Sequence, residues 1–86
     1  MRSMNKSEYN KTFGVFLKQK RVAKKWSQTD LASHLGNNSQ NISRIERGEL
    51  TPTIFWIEKL ATAFGIKTSQ LMSEFESMRD GIDKKD

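Results

Sequence analysis

Apolar residues recur along this chain at spacings of three and four, in short runs divided by Gly, Ser, Asn and Pro. That period is one face of an α-helix, and no alternating stretch of strand length interrupts it, so the pattern predicts an all-α chain of about five helices. Tyr9, Phe13, Phe16 and Leu17 form the first stripe, predicting a helix from about Ser7 to Lys24 that Gly14 weakens slightly. Ser27 reads as an N-cap, Asp30 as its capping-box partner and Trp26 as a staple onto Leu31, which starts a second helix at Gln28. Leu31, Ala32 and Leu35 face inward from it, and Gly36 stops it. Asn38 caps a third helix, in which Ile42 and Ile45 point the same way and Gly48 marks the end.

Pro52 then stands at or just before the first turn of a fourth helix, with Ile54, Ile57, Leu60, Ala61 and Phe64 as its buried stripe and Gly65 as its end. A fifth begins near Thr68 or Ser69, carries Leu71, Met72, Phe75 and Met78, and closes before Gly81, leaving a short charged tail. Residues 1–86 are therefore expected to form one domain with an ordered core over about 7–79 and frayed termini.

The third helix carries the candidate chemistry. With Ile42 set at zero on a wheel of roughly 100° per residue, Gln40, Ser43, Arg44 and Arg47 fall on the opposite side and Ser39 on the flank. This outward face is polar, hydrogen-bonding and cationic, and is expected to carry no carboxylate. Arg and Gln can each make two hydrogen bonds to the major-groove edge of a base, and Ser can bond a base or a phosphate. A helix so equipped suits insertion into DNA, whereas the plainer alternative is a solvated helix that happens to lack acids.

Charge sharpens that choice. The net charge is +5, but residues 1–47 carry +7 and residues 48–86 carry −2. A phosphate backbone attracts the first half through counterion release and the second half hardly at all. Most of the lysines taken singly are ordinary solvated side chains. Arg21, beside the first stripe, and Glu46, one turn from Ile42, are two half-buried opposite charges that suggest an ion pair.

Phe13-Gly14, Leu17, Arg21, Ser27-Gln28, Leu31-Ala32, Gly36, the run Ile42 to Gly48, Pro52, Leu60-Ala61 and Phe64-Gly65 together resemble the helix-turn-helix domain of the phage repressor and Cro (Xre) family, over residues 13 to 75. The resemblance implies a five-helix lambda-repressor-like domain with the motif at helices 2 and 3. It implies base contacts at Ser39, Gln40 and Arg44, and phosphate contacts at Gln28 and Arg47, with Asn41 as a further contact; Ser43, on the outward face, is a phosphate candidate from its own chemistry. It also implies that Arg21 and Glu46 join the first and third helices. Lys25 departs from the pattern, because the family usually has Gly there. A left-handed conformation costs another residue about 1 kcal/mol, so a differently shaped turn is expected.

Phe55 and Trp56 cannot both point inward beside Ile54 and Ile57, so at least one is expected at the surface. With Phe75 and Met78 they are the candidate interface of a two-fold homodimer, which would double a recognition site too short to be selective alone. Catalysis finds no support: His34 is the single histidine, cysteine is absent, and no metal-ligand spacing or phosphate loop occurs. No cofactor, metal, small-molecule ligand or membrane partner is expected, and no apolar run approaches membrane-spanning length. The expected function is that of a stand-alone cytoplasmic regulator, bacterial or phage-encoded, such as a Cro-like repressor or a restriction-modification controller protein, binding double-stranded DNA. The alternative is an antitoxin-type protein-binding module that neutralises a toxin partner and autoregulates its own promoter.

Overall fold

The computed structural model describes residues 4–83 as five helices with no strand among them: α1 (Lys6–Ala23), α2 (Gln28–Leu35), α3 (Ser39–Glu46), α4 (Ile54–Phe64) and α5 (Thr68–Asp83). Each of the first four starts on a side-chain oxygen that accepts from a backbone N–H in the first turn, namely Asn5, Ser27, Asn38 and Thr53. At Asn5 and Ser27 the reciprocal bond from Glu8 or Asp30 completes a capping box. The Ser27 bonds hold the Asp30 carboxyl below its ordinary pKa.

α1 packs on α3, α3 on α2, α2 on α4, α4 on α5, and α5 back on α1, so the helices form a closed ring of packings. Inside it Leu17, Leu31, Leu35, Ile42, Leu60, Leu71 and Phe75 are sealed from water, each worth about 1.5–3 kcal/mol of burial. Phe75 sits at the centre of an aromatic cluster, its ring 5.2, 5.3 and 5.5 Å from those of Tyr9, Phe13 and Phe16. Lys20 pairs with Glu74 at 2.6 Å beside it, tying α1 to α5.

Three sequence expectations are corrected here. Phe75 is 0% exposed and Trp56 9%, with its indole nitrogen also enclosed, so neither side chain is spare surface. Ile54, expected inside, is 79% exposed, and Phe55 is 72% exposed. The inward stripe of α4 is centred near Leu60 and Phe64, so Ile54 and Trp56 flank it on opposite sides, and Trp56 is on the side that joins the core, lining one cleft with Ile45 and Leu50. Met78 is half-buried against the core. Finally, Gly81 does not stop α5, which runs on to Asp83; a helical Gly costs only about 1 kcal/mol.

The turn after α1 is also not the one expected from Lys25. Its φ is +61°, the left-handed conformation that glycine favours, and Lys25 and Trp26 donate to the carbonyls of Val22 and Arg21 at 2.8 and 3.2 Å. The same paired closure follows α2, α3 and α4, where Gly36, Gly48 and Gly65 hold the left-handed place. Gly14 is not a mere weakness of α1 either. A Cβ there would stand 2.4 Å from the Glu46 carbonyl oxygen and 2.6 Å from that of Ile45, so its bare Cα lets α1 touch the end of α3.

Two opposite outcomes in denaturant melts check this. Lys25→Gly should raise stability by roughly 0.5–1 kcal/mol, since relief of the left-handed strain exceeds the added freedom of the unfolded chain. Gly14→Ala, favourable by about 1 kcal/mol at an open helical position, should instead lower stability by roughly 2 kcal/mol because backbone carbonyls cannot yield.

Candidate nucleic-acid interface

α2, the turn Gly36–Asn38 and α3 form two short helices around Leu31, Leu35, Ile42 and Ile45, all buried. The turn is fixed by its asparagines. Asn37 Oδ1 accepts from the Asn38 backbone N–H at 2.8 Å and from Asn41 Nδ2 at 2.9 Å, while Asn38 Oδ1 accepts from the Asn41 backbone N–H at 2.9 Å. Asn41, expected on phosphate, therefore has one amide proton engaged in shaping the turn. Gln40, Arg44 and Arg47 are exposed, and Ser39 and Ser43 are half-exposed beside them.

Behind this face lies a network that no single element could make. Arg21 Nε donates to Glu46 Oε2 at 2.6 Å and Nη2 to Oε1 at 3.1 Å, a forked pair whose side chains are 10% and 6% exposed. Arg21 Nη1 donates to the Trp26 carbonyl at 2.7 Å. Donating to the Glu46 carboxylate raises the Arg21 pKa further, with burial opposing. Gln28 Nε2 also donates to Glu46 Oε1, at 3.1 Å, which leaves its second amide proton for another acceptor. One carboxylate thus joins α1, the first residue of α2 and the last residue of α3.

The outward face is less purely cationic than the wheel suggested. Gly48 reverses the chain, Glu49 donates its backbone N–H to the Arg44 carbonyl at 2.9 Å, and the Glu49 carboxylate reaches Arg47. Arg47 Nε and Nη2 donate to it at 2.9 and 3.1 Å, and Nη1 donates to Ser43 Oγ. Arg47, helped by Arg44, holds the Glu49 carboxyl below its ordinary pKa. Sequence reasoning missed Glu49 because it counted helical positions only; the available signal was the turn after Gly48, which returns the next residue to the last turn of the helix. The ring of His34, the single histidine, is stacked 4.2 Å from Trp26.

A buried pair of short helices presenting Gln40 and Arg44 outward defines the class: a helix-turn-helix DNA-binding domain. The sequence profile of the HTH_3 helix-turn-helix family matches residues 17–71, and the chain belongs to that family of Xre-type transcriptional regulators, which are not enzymes. Among solved structures, the restriction-modification controller protein C.AhdI from Aeromonas hydrophila is 35% identical, with a TM-score of 0.68, covering 72% of this chain and 94% of that one. A point variant of the controller protein C.Esp1396I is 26% identical, with a TM-score of 0.74 over 100% of both chains. The clp gene regulator ClgR from Corynebacterium glutamicum shares the fold at 19% identity and a TM-score of 0.73, over 88% of this chain and 82% of its own. No significant match exists among curated proteins. The protein is a DNA-binding transcription regulator. Among the described residues no helix is long and apolar enough to cross a membrane, and no acid, His or Cys cluster could hold a metal.

The Arg21–Glu46 network is testable by a double-mutant cycle. Arg21→Ala or Glu46→Ala alone should each cost roughly 3 kcal/mol by leaving a buried charge unpaired, and the double variant should lose clearly less than the sum. Strictly additive losses in denaturant melts would reject the coupling.

Proposed function

We propose that this chain acts as a homodimeric operator-binding regulator of the restriction-modification controller type, in the bacterial cytoplasm, with α3 in the major groove of an inverted-repeat site. The observation that carries the reading is the outward face of α3. Among the described residues the side chains of Gln40 and Arg44 make no hydrogen bond, and both are exposed on a helix whose back is anchored by Ile42, Ile45 and Glu46. They suit base edges, with Ser39 on the same side; Arg47, Ser43, Gln28 and Asn41 suit the backbone. Similarity to two controller proteins, one across 94% of its length and one across all of it, supports the regulatory class.

The dimer contact assigned from sequence is revised accordingly. Phe55, with Ile54 beside it at the start of α4, is the apolar surface that a second copy would cover, and Met78 contributes at most its exposed part. A dimer would place two α3 helices about 34 Å apart, on half-sites whose centres lie about 10 base pairs apart. Phe55→Glu should then give a folded monomer by light scattering at tens of micromolar. A persistent dimer would remove Phe55 from the interface, and a 1:1 complex with another protein at that face would favour the antitoxin alternative.

Selection of bound sites from random duplex DNA tests the rest. A recovered motif with dyad symmetry is expected; a motif without it would overturn the inverted-repeat reading. Arg44→Ala or Gln40→Ala should flatten preference at particular base pairs, each costing roughly 1–3 kcal/mol, whereas Gln28→Ala should weaken all sequences alike. An unchanged motif for Arg44→Ala would refute its base-reading role. Affinity should fall steeply with added salt.

A further inference from the structure

Arg47 is the residue of this face best suited to a DNA phosphate, yet in the free protein each of its three guanidinium nitrogens already has an acceptor. Two donate in parallel to Glu49 and the third to Ser43. The Glu49 carboxylate thereby occupies the forked position that two phosphate oxygens would take. Its location is not left to a flexible segment. Gly48 takes the left-handed turn at φ +76° in a place where a Cβ would stand 2.7 Å from Lys11, and the Glu49 backbone N–H is bonded to Arg44 at the end of α3. Glu49 also lies within the field of Arg44.

We propose that Glu49 is an internal stand-in for a DNA phosphate, an autoinhibitory contact that Arg47 must exchange before it can hold the backbone, and that it sets how tightly this protein binds DNA of any sequence. This rests on the DNA-binding reading of α3. Non-specific complexes consist almost wholly of backbone contacts, so a cation already satisfied within the protein contributes less to them than its charge suggests. Ser43, whose hydroxyl oxygen accepts from Arg47, keeps its own proton to donate to the incoming phosphate.

The test is a cycle of affinities for a labelled random-sequence 30-base-pair duplex across a salt series, using the full chain as wild type, Glu49→Gln, Arg47→Ala and the double variant. Glu76→Gln on the exposed surface of α5 serves as a charge-only control. Glu49→Gln should tighten binding about two- to fivefold, the range set by an exposed ion pair. In the Arg47→Ala background the same change should do no more than Glu76→Gln does. Equal tightening in both backgrounds would reduce Glu49 to general repulsion and overturn the proposal, as would no tightening at all. Absence of salt-dependent binding by every variant would instead remove the DNA-binding reading itself.

Discussion

Everything on the outer face of α3 depends on how closely its last turn lies against α1. Eight residues form a helix too short to persist in water, so its place must be imposed from behind. Three features do so at one spot. Gly14 admits the carbonyls of Ile45 and Glu46, Gly48 admits the backbone of Lys11, and Arg21 forks onto Glu46. The first two are steric and short-ranged, and fix distance. The ion pair is directional, and fixes rotation about the helix axis, which decides which side chains face outward. A buried pair of this kind is weak evidence of net stability but suits a role in orientation.

The same carboxylate reaches the interface from the other side. Gln28, at the first position of α2, shares Glu46 with Arg21, so the amide proposed to hold the backbone is positioned by the pair that orients α3. Groups from three helices are thereby set relative to one another before any DNA is met. Preorganisation of this sort lowers the ordering cost of binding. It also makes these positions poor candidates for independent substitution, since a change at Glu46 disturbs α1, Gln28 and α3 together.

A single turn geometry recurs after each of the first four helices, and its consequences differ by place. After α2 and α4 it turns the chain into the next helix. After α1 it is formed by Lys25 at the strain of a left-handed non-glycine residue. After α3 it does most, because the residue beyond the left-handed glycine returns to the final turn and puts an acid beside Arg47 and Arg44. The basic face therefore contains its own counter-charge, although the first half of the chain is strongly cationic as a whole.

Much of the fold was legible along the sequence because caps, stops and stripes are local. Ser27 and Asp30, Asn38, Gly36 and the spacing of Leu31, Leu35, Ile42 and Ile45 act within one or two turns, and they determined where α2 and α3 begin and which way they face. The outward face of α3 followed from the same periodicity, and the roles of its side chains from the family resemblance. Contacts between elements were not legible in that way. Phe75 and Trp56 looked surplus because one helix at a time offers no measure of the volume that five helices enclose, and their burial left Ile54 and Phe55 outside. Gly14 looked like a weakness until α3 lay against it. The expectation of a different turn at Lys25 weighed the local strain alone, whereas the turn is closed by the Lys25 and Trp26 N–H bonds to Val22 and Arg21 and by the Arg21 guanidinium on the Trp26 carbonyl. Sequence determined the helices and the inward faces of α1, α2 and α3, since those depend on neighbours three or four residues away; the inward face of α4, the shared carboxylate, the close approach and the counter-charge on Arg47 depend on groups brought together by the closed ring, and only the tertiary structure decided them.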